Sequence, residues 1–352
     1  EACLVGSEMC IRDRSYSDAN TSLMMVQLNH FLNEKMFYDI KYSITDNNYG
    51  SYVFEDYDSY EVIKEDGIYQ GVYRFEGDTV YNYVNDKYMT AFGTGFFTGG
   101  QDKGYTKRAT VSRNFKTTFN WQATNAHSIK AGVSATFYDL QNTYHTIRNA
   151  YAGTELESNN YKPIVLPDST VYSDMYSVEP KEASFFLQDK FERDEIVINF
   201  GLRYDTFDAN TYYPSQRRNP INASTYYLKN IDGTDSLDSN GNLVVDTQRM
   251  SEPIDSKVAS QLSPRFGFAY QLGNVAVLHF SYGHFFQMPP MYAIYSNHSS
   301  IIGPSDYSTT VGNSNLANDS LGLNAQKTVS YEVGLWQELG KNTSLEVNLY
   351  YR

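Results

Sequence analysis

Six histidines are the side chains of this sequence best suited to hold a metal or to move a proton near neutral pH. They stand at His30, His127, His145, His279, His284 and His298, and no two share the tight spacing of a metal site. His279 and His284 differ in parity along one alternating segment, so they face opposite sides. We expect structural or surface roles for all six. The run from Asp232 to Asp246 places Asp235, Asp238 and Asn240 between its ends and Gly241 at a bend, an arrangement that resembles a calcium loop. It lacks the twelfth-position Glu and helical flanks, and Asn240-Gly241 suits a plain turn equally. There is no Gly-x-Ser-x-Gly elbow, and Gly93-Thr-Gly95 and Gly99-Gly100 do not link a strand to a helix as a phosphate loop does. No catalytic, cofactor-binding or metal-ligating residue is therefore assigned, no cofactor is expected, and the reading is not an enzyme.

The elements around these residues carry more information. Phe266, Phe268 and Tyr270 alternate with Arg265, Gly267 and Ala269; Gly273-Asn274 turns the chain; Leu278, Phe280 and Tyr282 then alternate with Val277, His279 and Ser281. Such period-2 alternation marks strands with one apolar and one polar face. From Ser22 onward it predicts ten strands in five hairpins, with short turns at Asn33-Glu34-Lys35, Thr124-Asn125-Ala126, Asp194-Glu195, Gly273-Asn274 and Gly340-Lys341-Asn342. The polar faces carry Asp39, Lys41, Arg203, Asp205 and Glu332, which suit a wet lumen better than a sandwich core. The other connections are long: Asp46–Lys103, Gln141–Lys181, Ala209–Leu262 and Gln287–Gln326, the first with short strands of its own at Ile68–Phe75 and Thr79–Val84. Tight turns at one end and large loops at the other are the pattern of an all-β, antiparallel transmembrane barrel, with periplasmic turns and extracellular loops.

Composition agrees. Among 352 residues there are 32 Tyr and 20 Phe, and mean hydropathy is −0.51. No apolar run approaches the roughly 20 residues of a spanning helix, but in a barrel only alternate residues meet lipid. The net charge of −13 argues against a nucleic-acid partner. Much of it is local: Asp46–Lys103 holds eleven acidic against four basic residues, the signature of a solvated loop. Both cysteines, Cys3 and Cys10, fall in residues 1–14, whose composition departs from the rest and resembles a translated adapter sequence. That segment is read as non-native, and 15–352 as the barrel portion, without a disulfide framework.

Several stretches resemble the TonB-dependent receptors of bacterial outer membranes. They are Phe186-Leu-Gln-Asp-Lys-Phe-Glu192 with Val197 to Asp205, Leu262-Ser-Pro-Arg-Phe-Gly-Phe-Ala-Tyr270, His279 to Pro290, and Gln326-Lys-Thr-Val-Ser-Tyr-Glu-Val-Gly334. The likeness spans most of residues 20–352 and is nearest to receptors with a carboxypeptidase-regulatory-like extension. One loop departs from the family pattern. Gly312-Asn-Ser-Asn-Leu316 lacks the first Pro of the usual motif, and Ala317–Ala325 replaces the rest.

The resemblance implies about 22 strands in the whole barrel, so ten make this a partial one, with the plug domain, the TonB box and further strands expected outside this sequence. It further implies an outer-membrane location and energised uptake of a scarce, bulky ligand: an iron chelate, cobalamin, a glycan or a peptide. The implied partners are outer-membrane lipid, that extracellular ligand, and the TonB complex through the plug. Tyr292, Tyr295 and Tyr307 offer rings to stack on such a ligand, while Tyr282 suits interface anchoring. The alternatives are a passive porin and a surface-binding structural barrel.

Overall fold

The computed structural model describes residues 15–53, 55, 61–65, 68–75, 78–81, 102–157, 162–216, 219, 221–222, 224–296 and 325–352. Residues 1–14, with Cys3 and Cys10, lie outside the described residues, as do the glycines at 93–100, His298, Tyr307 and the 312–324 stretch. Ten wall strands follow: β1 Tyr16–Asn33, β2 Met36–Tyr52, β3 Gly104–Gln122, β4 His127–Thr146, β5 Lys181–Arg193, β6 Ile196–Asp208, β7 Ala259–Leu272, β8 Ala276–Gln287, β9 Gln326–Gly340 and β10 Thr343–Tyr351. Each pairs antiparallel with its neighbours in chain order, and β1 and β10 form the two edges. This is the expected meander of five hairpins.

Local chemistry fixes the turns. The Asn33 carboxamide accepts the Lys35 N–H at 2.8 Å, and the Thr124 hydroxyl accepts the N–H groups of Ala126 and His127 at 3.2 and 3.1 Å. Asp194 and Gly273 take positive φ values of 52° and 60°, the left-handed geometry that lets a short loop match the strand twist.

The strands overrun their expected ends at the loop side. β1 begins at Tyr16 rather than Ser22, β2 continues past Asp46 to Tyr52, and β4 continues past Gln141 to Thr146. Within the expected Gln141–Lys181 loop, Ser173–Val178 also pairs with β4, in the same register as β5. Pro180 interrupts this long strand because it has no N–H, yet its carbonyl still accepts the Tyr138 N–H at 3.0 Å. Alternation fails to mark these extensions for a physical reason: beyond the apolar band both faces are wet, so no apolar period survives. In the first loop, Ile68–Phe75 forms as expected, flanked by Glu61–Glu65 and by Asp78–Tyr81 in place of Thr79–Val84.

Conventional core is scarce among the described residues. One buried cluster (Tyr52, Val53, Tyr105, Ile147) caps the tall β2–β4 region. The other (Leu140, Val178, Phe207, Ala209, Ile294, Tyr295) joins the polar face to a short helix, α1, Met291–Tyr295.

Candidate functional site

Register assigns every wall residue to one of two faces. On the first, a transverse row reads Leu28, Ile40, Thr117, Val133, Phe185, Tyr204 and Leu262 from β1 to β7. A second row reads Phe200, Phe266, Tyr282, Tyr331 and Tyr351 from β6 to β10. The apolar faces of all five hairpins therefore merge into one band. No second sheet covers it among the described residues: Leu28 is 54% exposed, Phe185 49%, Phe200 52% and Leu262 58%. A water-facing surface of that extent would be an aggregation site. Four or five alternate apolar residues cover about seven to nine residues of each strand, which at about 3.3 Å per residue and a tilt near 40° rise about 18–23 Å, close to the ~25 Å apolar band of a membrane-spanning barrel.

The band is interrupted by one ion pair near its short-turn end. His127 Nδ1 lies 2.8 Å from Asp189 Oδ2, and the imidazole packs on the Phe191 ring at 5.0 Å. Pairing lowers the cost of placing these groups beside lipid.

The opposite face is polar and concave. Its rows include Asp39, Thr118, Gly132, Phe186, Arg203 and Ser263 across β2–β7, and Lys130, Gln188, Gly201, Arg265, Gly283 and Ser330 across β4–β9. Gly201, Gly267 and Gly283 floor a trough of about 790 Å³ on β6, β7 and β8, where missing side chains leave room. Arg203 Nε donates to both oxygens of Asp205 at 2.8 and 3.0 Å. His279 faces this trough side with Glu332 at 4.0 Å, while His284 lies on the apolar face against Tyr282, 2.6 Å from its hydroxyl. The opposite-face expectation for the two histidines is met.

Sequence reasoning did not anticipate the strap. After β8, Met288-Pro289-Pro290 and α1 fold back over the polar face and reach the strand ends of β4 and β6. Ile294 and Tyr295 are buried there, and the Tyr295 hydroxyl donates to the Ala209 carbonyl at 2.7 Å. Between strap and wall lies a second concavity of about 410 Å³, lined by Glu182, Ser184, Arg203, Asp205, Met288 and Met291 among others. Burial, reinforced by Asp208 and Tyr176, raises the Tyr295 pKa above the ordinary phenol value. The expected ligand-stacking role fails for Tyr295, whose ring is spent on packing, whereas Tyr292 is exposed and Tyr307 lies outside the described residues. The signal was local: Pro289-Pro290 ends the strand and Met291-Tyr-Ala-Ile-Tyr295 is apolar enough to need cover.

The Asp232–Asp246 run does not gather its carboxylates. Asp232 accepts the Thr234 N–H and hydroxyl, Asp238 accepts N–H groups of Asn240 and Asn242, and Asp246 accepts the Gln248 N–H. These bonds hold the Asp232 and Asp238 carboxyls below the usual carboxylate range. Asp235 pairs with Lys229 at 2.5 Å. Each acid is committed to its own turn or partner. Among the described residues no group of three or more His, Cys, Asp and Glu side chains could hold a metal ion.

An uncovered apolar band backed by a polar concave face, with short turns at one edge and long loops at the other, defines a transmembrane β-barrel wall. The chain belongs to the outer membrane beta barrel domain family, whose model matches residues 7–347. It lies in the bacterial outer membrane, in contact with lipid. No curated protein matches it. Among solved structures it is similar to the FrpB iron transporter of Neisseria meningitidis, at 12% identity and a TM-score of 0.47, covering 96% of this chain and 37% of that one. It is also similar to the ferric citrate transporter FecA, at 11% identity and a TM-score of 0.44, covering 96% and 35%. A third is the alcaligin receptor FauA of Bordetella pertussis, at 13% and 0.43, covering 96% and 37%. The chain thus spans little more than a third of these structures' length.

Proposed function

We propose that this chain is part of the barrel of a TonB-dependent receptor, which takes up a scarce extracellular ligand with energy supplied through a plug domain and the TonB complex. The observation that carries the reading is the charged, glycine-floored concave face, wide enough to form a lumen wall, placed behind a lipid-facing band. The sequence stretches from Phe186 to Gly334 that resemble this receptor family support it. So does the strap, which lies at the loop end where ligand enters. Transport of this kind involves no bond making or breaking, so the residues of the trough act by binding and guiding alone. Residues 1–14 are, on this reading, adapter-derived, although the family match begins within them at residue 7.

The test is uptake by cells that carry the intact gene. Import that stops when TonB is deleted, together with a plug and TonB box encoded upstream of the barrel, is the expected result. Uptake unaffected by TonB deletion would favour the passive porin.

A further inference from the structure

The chain carries a net charge of −13, yet its trough is lined by Lys130, Arg203, Arg265 and Arg352 against one carboxylate, Glu332. That inversion of sign is local to the trough, since the same face carries Asp39, Glu182 and Asp205 elsewhere. Lys130 and Arg265 occupy the same transverse row, with Gln188 and Gly201 between them, so they stand three strand spacings apart, about 14 Å. Arg203 stands on β6 in the neighbouring row. Its Nε is held by Asp205, which fixes the guanidinium plane, and its Nη groups make no hydrogen bond among the described residues. Lys130 and Arg265 meet no carboxylate there.

Gly201 and Gly283 flank Arg265 in its row, and the Phe285 ring folds over Gly283 to lie beside the guanidinium. Two aromatic rings complete the surface. Phe285 lies 5.0 Å below the Arg265 guanidinium, and Phe186 lies across Gly132 on the adjoining strand. A concave wall with one sign of charge concentrates ligand of the opposite sign.

We propose that this row is a binding site for a small molecule bearing two or more anionic groups, carboxylate, sulfonate or phosphate, which spans Lys130 to Arg265, the Arg265 guanidinium being seated on the Phe285 ring. It rests on the reading of the polar face as a transport lumen and names the ligand class of that lumen. Chelates and conjugated organic acids have this chemistry; neutral glycans and cationic peptides do not.

The probe is pyranine, a planar trisulfonate whose fluorescence anisotropy reports binding to the full chain in detergent micelles, with the planar cation rhodamine 6G as comparison. Saturable pyranine binding that weakens with added salt is expected. Arg265→Gln and Lys130→Gln should each weaken it about tenfold, the effect of losing one charge-assisted contact. Arg265→Lys should retain most of it, and Lys327→Gln, on the apolar face, should leave it unchanged. Equal binding of rhodamine 6G, equal binding by Arg265→Gln protein of unchanged circular dichroism, or equal weakening by Lys327→Gln would overturn the proposal. TonB-independent uptake in cells would remove the import reading alone and leave this binding result standing.

Discussion

At the scale of single residues, one hydroxyl adds to the apolar packing that holds the strap, and one glycine gives the wall its close contacts. Tyr295→Phe removes the bond to the Ala209 carbonyl, leaves a buried acceptor unpaired, and should loosen the strap by about 1–3 kcal/mol. Faster proteolytic cleavage within 288–296 measures it. The same phenol gives a pH dependence. Its folded pKa lies above the unfolded value of about 10, so its contribution is complete below about pH 10 and is lost as pH rises through the folded value. Strap cleavage should accelerate only in that alkaline range, and less so in the Phe variant. Gly132 is the counterpart in the wall. A Cβ there would collide with the Phe186 ring and sit 3.0 Å from the Thr117 carbonyl, so Gly132→Ala should cost about 1–3 kcal/mol. The midpoint of denaturant unfolding in micelles reads that loss directly.

At the scale of elements, legibility in the sequence followed the solvent. Ile196, Ile198, Phe200, Leu202 and Tyr204 alternate with Val197, Asn199, Gly201, Arg203 and Asp205 because one face meets lipid and the other water, and β6 was readable from end to end. Asn47 to Tyr52 and Ser173 to Val178 are strands too, but both their faces lie outside the band and no period announces them. The trough was legible only in part. Arg203, Asp205 and Glu332 could be placed on the polar face by parity, but the shared row of Lys130 and Arg265 depends on inter-strand register, which alternation does not specify. The strap was hidden because its contacts, Tyr295 with Ala209 and Tyr176, are long-range. Element polarity is itself testable. An epitope inserted at Ser239, in the hydrogen-bonded ribbon between Tyr227 and Val245, should be stained on whole cells carrying the intact protein. The same epitope at Glu195, in the β5–β6 turn, should be stained only after the outer membrane is permeabilised.

At the scale of the whole molecule, the wall inverts the usual distribution of a folded protein. Large apolar side chains such as Leu28, Phe200 and Leu262 are exposed along one face, and the charged groups line the hollow. In water that arrangement is unfavourable, and in a bilayer it is the stable one, because lipid covers the band and the inner strands pair with neighbours on both sides along the ladder. The most direct test is cysteine accessibility along β8. Single cysteines at Val277, Leu278, His279, Phe280, Ser281 and Tyr282 are introduced with Cys3 and Cys10 removed, and the protein is placed in lipid vesicles made permeable to small solutes. A charged, water-soluble maleimide should label positions 277, 279 and 281 and spare 278, 280 and 282. Labelling without a two-residue period, or strong labelling of Phe280→Cys, would contradict a lipid-facing band and with it the barrel.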